Sequence, residues 1–165
     1  MDIDSWEIIW NNNKKVNLMI VKLEQDLSVR EIEVHIKYAK MTNDVERIST
    51  LLKSATTRIK CSYDKGEILV NISDIYYFES VDKMTFVYCE KEVYRTELRL
   101  YQIAENYAHL DFMQISKSCI LNINALNSIT PLPSSRMEAT IKNNERVYVT
   151  RKYLGNIKRA LQEGM

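Results

Sequence analysis

Apolar and polar positions fall into two textures along this chain, sparse and periodic before Thr57 and densely punctuated after it. Val29–Tyr38 alternates strictly, with Ile32, Val34, Ile36 and Tyr38 on one side and Glu31, Glu33, His35 and Lys37 on the other. A period of two predicts a half-buried strand, and it puts His35 among the solvent-facing residues. Val16–Leu23, VNLMIVKL, is β-branched and apolar and predicts a strand before it, with Glu24–Leu27 as a turn. Val45, Ile48, Leu52 and Ala55 then recur at helical spacing. Asn43 followed by Glu46 has the form of a capping box, so an amphipathic helix is predicted over Asp44–Ser54. A strand-strand-helix element of this kind buries little alone and must lean on the remainder or on another copy.

After Thr57 the predicted strands are short. Arg58–Tyr63 and Glu67–Asn71 flank a turn at Asp64–Gly66. Ile75–Glu79 and Met84–Cys89 form a stiff hairpin around the polar loop Ser80–Lys83. Val93–Arg95 leads to a helix capped by Thr96, with Leu98, Tyr101 and Ile103 inward and its end near Tyr107. Phe112–Ile115 and Cys119–Asn122 are strand pieces interrupted by Ser116-Lys117-Ser118. Asn124–Thr130 and Arg136–Ile141 surround a loop at Pro131–Ser135. Asn143-Asn144 suits a tight turn before Val147–Val149. Thr150 can cap a last helix with Leu154, Ile157 and Leu161 on its inner face. The predicted fold is mainly β, a sandwich or stack of small sheets, with no alternating strand-helix series to build a phosphoacceptor receiver.

Composition narrows the class. At 165 residues the chain suffices for one good core, or one domain with an appended element. With 23 Lys and Arg against 22 Asp and Glu, the whole-protein field does not announce a polyanionic partner. Charge is uneven, however: Arg146, Arg151, Lys152, Lys158 and Arg159 precede the next acid, Glu163. Cys61, Cys89 and Cys119 lie far apart in apolar patterns, which predicts buried free thiols in a reducing cytoplasm. The acidic opening MDIDSWEIIW is not a signal peptide, and no apolar run approaches a membrane span. Asn11–Lys15 reads as a joint after a Trp6- and Trp10-containing segment.

Three stretches carry candidate chemistry. Ser116-Lys117-Ser118 contains a Ser-Lys pair, but adjacent residues of a strand point to opposite faces, which spoils proton transfer. A lysine at a sheet edge meeting a phosphate or a base is better supported; a plain solvated edge is the alternative. Arg151 and Lys152 in the first turn of a helix oppose its dipole at a small cost, a placement that makes sense if an anion binds there; exposed charges that are simply tolerated are the alternative. Ser80–Lys83 offers donors and one acid, Asp82, while Asp74 and Glu79 read as turn and edge residues. His109 and Asp111 lie in a connection without a partner nucleophile, and no phosphate-loop, zinc-protease or nucleophile-elbow motif occurs. No enzyme, cofactor or metal site is expected.

Arg58–Leu161 resembles the LytTR DNA-binding domain. The resemblance rests jointly on IYYFESVDKMTFVY, EVYRTELRLYQIAE, FMQISKSCILNINALNSI and VYVTRKYLGNIKRAL. The N-terminal strand-strand-helix resembles, more loosely, that of stand-alone members, which lack a receiver and often accompany a membrane protein. The organisation expected is residues 1–55 as extension and strand-strand-helix element, and residues 56–165 as the DNA-binding domain. The resemblance implies roughly ten strands in three small antiparallel sheets with short helices. It implies DNA reading by loops, without a recognition helix. Carried over by motif, the contacting residues are Ser80, Lys83, Met84 and Thr85; Ser116, Lys117 and Ser118; and Arg151, Lys152 and Tyr153. Members often carry arginine or asparagine at the place of Lys117, and some histidine at that of Thr85.

Lysine and arginine at three separated tips agree with that reading, since they neutralise phosphates and reach base edges in the major groove. The function implied is a cytoplasmic, sequence-specific transcriptional regulator on promoter direct repeats, bending its double-stranded DNA. A homodimer through residues 1–55, or a membrane-protein partner for them, stays open. The alternative function is a protein-interaction or sensor module acting with such a partner.

Overall fold

The computed structural model describes residues 20–64 and 66–163. Contacts divide the chain into two units, Met1–Ala39 and Lys40–Met165.

Among the described residues of the first unit a turn forms at Asp26. The Ser28 N–H and hydroxyl both donate to Asp26 Oδ1, at 2.8 and 2.7 Å, and the Val29 N–H donates to the Asp26 carbonyl at 3.3 Å. The strand expected over Val29–Tyr38 is not formed, and Ile20–Leu23 is not a strand either. Val16–Met19, Trp6, Trp10 and Asn11–Lys15 lie outside the described residues. Alternation encodes two faces, but a strand also needs a neighbour's N–H and C=O groups to pair with. Among the described residues no strand pairs with this segment, and Ile32 is 96% exposed.

The second unit opens with α1 (Asn43–Thr56). Its cap is Thr42, one residue before the expected Asn43; the Thr42 hydroxyl accepts the Val45 N–H at 3.4 Å. Val45, Ile48 and Leu52 are half-buried, while Ala55 faces out. The helix packs on the 3-10 turns Ile72–Asp74 and Ala108–Leu110, so it belongs with the strands that follow rather than with the segment before it.

Among the described residues ten strands follow: β1 (Arg58–Tyr63), β2 (Gly66–Asn71), β3 (Ile75–Val81), β4 (Met84–Cys89), β5 (Val93–Thr96), β6 (Phe112–Gln114), β7 (Cys119–Asn122), β8 (Leu126–Leu132), β9 (Arg136–Ile141) and β10 (Arg146–Val149). All ladders are antiparallel, in a sheet of order β2-β1-β5-β4-β3-β7-β6 and a smaller one of order β10-β9-β8. The resemblance implies three sheets; here a single residue pair, Ser62↔Arg95, joins the β1-β2 hairpin to the rest and makes two of them one. Pro131 lies in β8, an edge strand that tolerates its missing donor.

The large sheet is buried on both faces at its centre. Phe78 stands opposite Val87 and Ile120 and shares a core with Ile103, Leu110 and Phe112. That face is covered by α2 (Leu100–Tyr107). On the other face Tyr77 stacks on Tyr88 at 4.2 Å and 10°. It packs with Leu121, Ile141 and Val149, and with Ile157 of α3 (Leu154–Glu163). Asn122 is buried and pins the sheet: its amide donates to the Ile75 carbonyl at 2.8 Å, and its oxygen accepts the Asn124 N–H at 3.0 Å. Thr96 is not a helix cap. Its hydroxyl donates to the Lys60 carbonyl at 3.1 Å, so α2 starts later and Tyr101 points outward. Among the described residues no helix is long and apolar enough to cross a membrane.

Burial pushes Cys119 up to about 12, and Cys61 and Cys89 up to about 11. Thiolate is therefore scarce at neutral pH. Cys61 and Cys119 are buried, whereas Cys89, expected to be buried, is only half-buried. A maleimide titration is expected to leave Cys61 and Cys119 of the folded protein unlabelled, to label Cys89 slowly, and to label all three after unfolding in urea; fast labelling of Cys61 or Cys119 in the folded protein would contradict this burial.

Candidate nucleic-acid interface

The first tip is tighter than the sequence suggests. Ser80 pairs with Thr85 and Val81 with Met84, so the loop is only Asp82-Lys83, both left-handed (φ 49° and 64°). These angles match a primed hairpin turn, whose twist suits the flanking strands. Glycine and asparagine normally mark such a turn, and neither is present. Lys83 and Met84 are exposed, Ser80 is half-buried, and Thr85 is buried at 2% exposure.

Two arginines that the sequence reading left unassigned flank this turn. The Arg99 guanidinium donates to the Lys83 carbonyl. Arg95 pairs with Glu97 at 3.5 Å and approaches Met84 Sδ at 3.9 Å. A shallow hollow is lined by Lys83, Met84, Arg95, Glu97 and Arg99. The signal was one register step away: β5 pairs with β4 so that Arg95 faces Phe86 and Thr96 faces Thr85.

The second tip is a bend over Ser116–Ser118 between β6 and β7. The Ser118 N–H donates to Ser116 Oγ at 3.1 Å, and the Ile115 and Ser116 N–H groups converge on the Cys119 carbonyl at 3.0 and 3.3 Å. Both serines are half-buried, and Lys117 projects between them, exposed. Because this is a bend, the opposite-faces argument against a Ser-Lys pair does not apply. Ser116 Oγ is instead engaged by the backbone of its own turn.

The third tip is the 3-10 turn Arg151–Tyr153 ahead of α3. The Thr150 hydroxyl does not cap that helix. It donates to the Ile115 carbonyl at 3.4 Å, beside the Thr150 N–H at 2.9 Å. The Thr150 carbonyl accepts the Tyr153 N–H at 2.9 Å, closing the turn. Arg151 and Lys152 are exposed, and Lys152 Nζ lies 5.4 Å from the Tyr153 ring centre. The two cations thus precede α3 and do not occupy its first turn, which lessens their conflict with its dipole.

Backbone bonds tie the tips together. The Ser80 N–H donates to the Ser118 carbonyl at 2.8 Å, and Thr150 is bound to Ile115 next to Ser116. Lys83, Lys117, Arg151 and Lys152 are therefore presented from one connected framework, with Arg95 and Arg99 beside the first tip.

Residues 65–162 match the family described as the LytTr DNA-binding domain. A sensory transduction protein LytT of Bacillus anthracis is 27% identical over 139 residues, which cover 84% of this chain and 52% of that protein. The LytT of a Bacillus cereus strain is 33% identical over 99 residues, covering 60% of this chain and 40% of that protein. The chain thus spans about half the length of these LytT proteins. An uncharacterized HTH-type transcriptional regulator of Staphylococcus aureus strain MSSA476 is 27% identical over 148 residues, covering 86% of this chain and 99% of that protein. A solved LytTr DNA-binding domain from Bacillus cereus superposes with a TM-score of 0.61 at 25% identity, over 64% of this chain and 97% of that one.

Proposed function

The chain belongs to the LytTr DNA-binding domain family, and we propose that it is a cytoplasmic transcriptional regulator that reads promoter repeats in double-stranded DNA through its loops. The observation that carries this is the set of three basic tips held by backbone bonds between Ser80 and Ser118 and between Ile115 and Thr150. Separate exposed cations on one rigid frame suit a duplex, whose phosphates are regularly spaced and whose base edges lie in a groove between them.

The proposed contacts are Lys83 and Met84 at the first tip, Ser116, Lys117 and Ser118 at the second, and Arg151, Lys152 and Tyr153 at the third. Ser80 serves through its backbone. Thr85 is left out, because it is buried. Arg95 and Arg99 are added as phosphate partners: Arg95 can exchange Glu97 for a phosphate oxygen, and Arg99 steadies the turn that carries Lys83. The longer cationic side chains reach base edges or phosphates, while the serine hydroxyls and backbone N–H groups fix the register.

Binding of fluorescent promoter fragments, followed by anisotropy, tests the reading. Arg99→Ala is expected to weaken binding roughly fivefold, about 1 kcal/mol, and to lower the melting temperature by a few degrees, since its bond to the Lys83 carbonyl is lost. An unchanged affinity would remove Arg99 from the interface. Lys83→Gly separates stability from function: glycine relieves the left-handed turn and is expected to raise stability by up to about 1 kcal/mol while DNA binding falls. If binding rose together with stability, Lys83 would have no part in contacting DNA.

The alternative, an interaction module working with a membrane partner, draws on the exposed apolar residues between Ile20 and Met41. It leaves the basic tips without a role.

A further inference from the structure

Residues 20–38 combine features that DNA reading does not use. Ile32, Val34, Ile36 and Tyr38 are 96%, 59%, 37% and 52% exposed, and Leu23 and Leu27 are 77% and 91% exposed. His35 Nε2 meets Glu33 Oε2 at 3.3 Å, a contact between residues two apart that places both on one side of the chain. The Asp26 turn is formed, yet no ladder follows it among the described residues.

The sequence of this segment is complementary to itself in one arrangement. Set antiparallel to a second copy about Val34, Glu31 faces Lys37, Glu33 faces His35, Ile32 faces Ile36, and Val34 meets Val34. Each polar pair joins an acid to a base or donor, and each apolar pair matches similar side chains. A parallel, in-register arrangement would instead set Glu31 against Glu31 and Lys37 against Lys37. Unlike charges directly opposite stabilise a ladder, and like charges there destabilise it. A two-fold axis generates every pair twice from one sequence feature.

We infer that Glu31–Lys37 is the strand of an intersubunit antiparallel ribbon, centred on Val34, through which two copies of this chain pair. The ladder forms on association, which supplies the partner that the alternation demands. A two-stranded ribbon alone is marginal in water. The Asp26 turn brings Ile20–Leu23 of each copy back to flank it as outer strands. This inference does not depend on the DNA reading.

Sedimentation velocity of the full chain tests it with two complementary charge variants. Glu31→Lys with Glu33→Lys sets cations opposite Lys37 and His35. His35→Glu with Lys37→Glu sets acids opposite Glu31 and Glu33. Wild type is expected to dimerise, and each variant alone is expected to show a dissociation constant raised about tenfold or more. An equimolar mixture of the two is expected to recover a heterodimer near wild-type affinity, because every facing pair again joins an acid to a base or donor. Hydrogen exchange at residues 31–37 is expected to slow on dimerisation. A monomeric wild type, unaltered dimerisation of the single variants, or a mixture that fails to pair overturns the inference. Binding of each variant to a single DNA repeat is read in parallel and is expected to be unchanged. A variant that lost only DNA binding would count against the DNA reading and not against the ribbon.

Discussion

Lys117→Ala combined with Arg151→Ala is expected to abolish most promoter binding while leaving the melting temperature within about 1 °C of wild type. Both side chains are exposed, and they come from two different tips. The bonds that hold those tips use the backbone of Ser80, Ser118 and Ile115 together with Thr150, and neither truncation touches them. The fold therefore has no reason to respond. Each cation that meets a phosphate releases counterions, and one that meets a base edge contributes about 1–3 kcal/mol of discrimination. Losing both is expected to cost about 2–4 kcal/mol, roughly 30- to 1,000-fold in affinity. Lys117→Arg is expected to retain binding and to shift sequence preference, since a guanidinium can pair bidentately where an ammonium cannot. Anisotropy for binding and circular dichroism for melting measure the two halves of the expectation. Full affinity in the double variant would move the interface away from these tips.

The second large effect is on stability. Phe78→Ala is expected to destabilise the fold by about 3–5 kcal/mol in urea titrations, a large fraction of the roughly 5–15 kcal/mol that holds a domain together. Phe78 is fully buried at the centre of the large sheet, with its ring 5.3 Å from Phe112 at 55° and its strand neighbours Val87 and Ile120 on the same face. Alanine leaves a cavity in a region with little room to collapse, since two strands and α2 fix its walls. Leu51→Ala on α1 is the contrast: Leu51 is 58% exposed, and less than about 1 kcal/mol is expected. A Phe78→Ala change as mild as Leu51→Ala would mean that the core is not organised around this ring.

These effects bear on how much the chain discloses in advance. The short strands after Thr57 were legible because both textures of a buried sheet, alternation and short apolar runs, recur between turn residues. The bounds of β1, β4, β7 and β9 follow directly from them. Val29–Tyr38 shows the limit. Its pattern specifies two faces as clearly as any strand here, but a pattern cannot say whether the partner lies within the chain. The sequence predicts a four-residue loop where the turn is Asp82-Lys83, because a left-handed lysine leaves no sign in a sequence. Thr96 looked like a cap because its hydroxyl could serve either a helix or the neighbouring strand, and register decided for the Lys60 carbonyl. The placing of Arg95 and Arg99 is hidden from the sequence for the same reason. Their nearness to Lys83 follows from the pairing of β4 with β5, not from their own surroundings in the sequence. Lys117, Arg151 and Lys152 stand out in the sequence because each interrupts or ends an apolar element with a positive charge; the structure shows all three exposed, and their contact with DNA is a proposal.

The most direct test of the central claim is the dependence of promoter affinity on salt, measured by anisotropy for the wild type and for Lys83→Ala, Lys117→Ala and Arg151→Ala. A steep linear fall of log K with log salt is expected for the wild type, and a slope shallower by about one for each variant whose side chain meets a phosphate. Binding that is absent, or that is indifferent to salt and to all three substitutions, would contradict it.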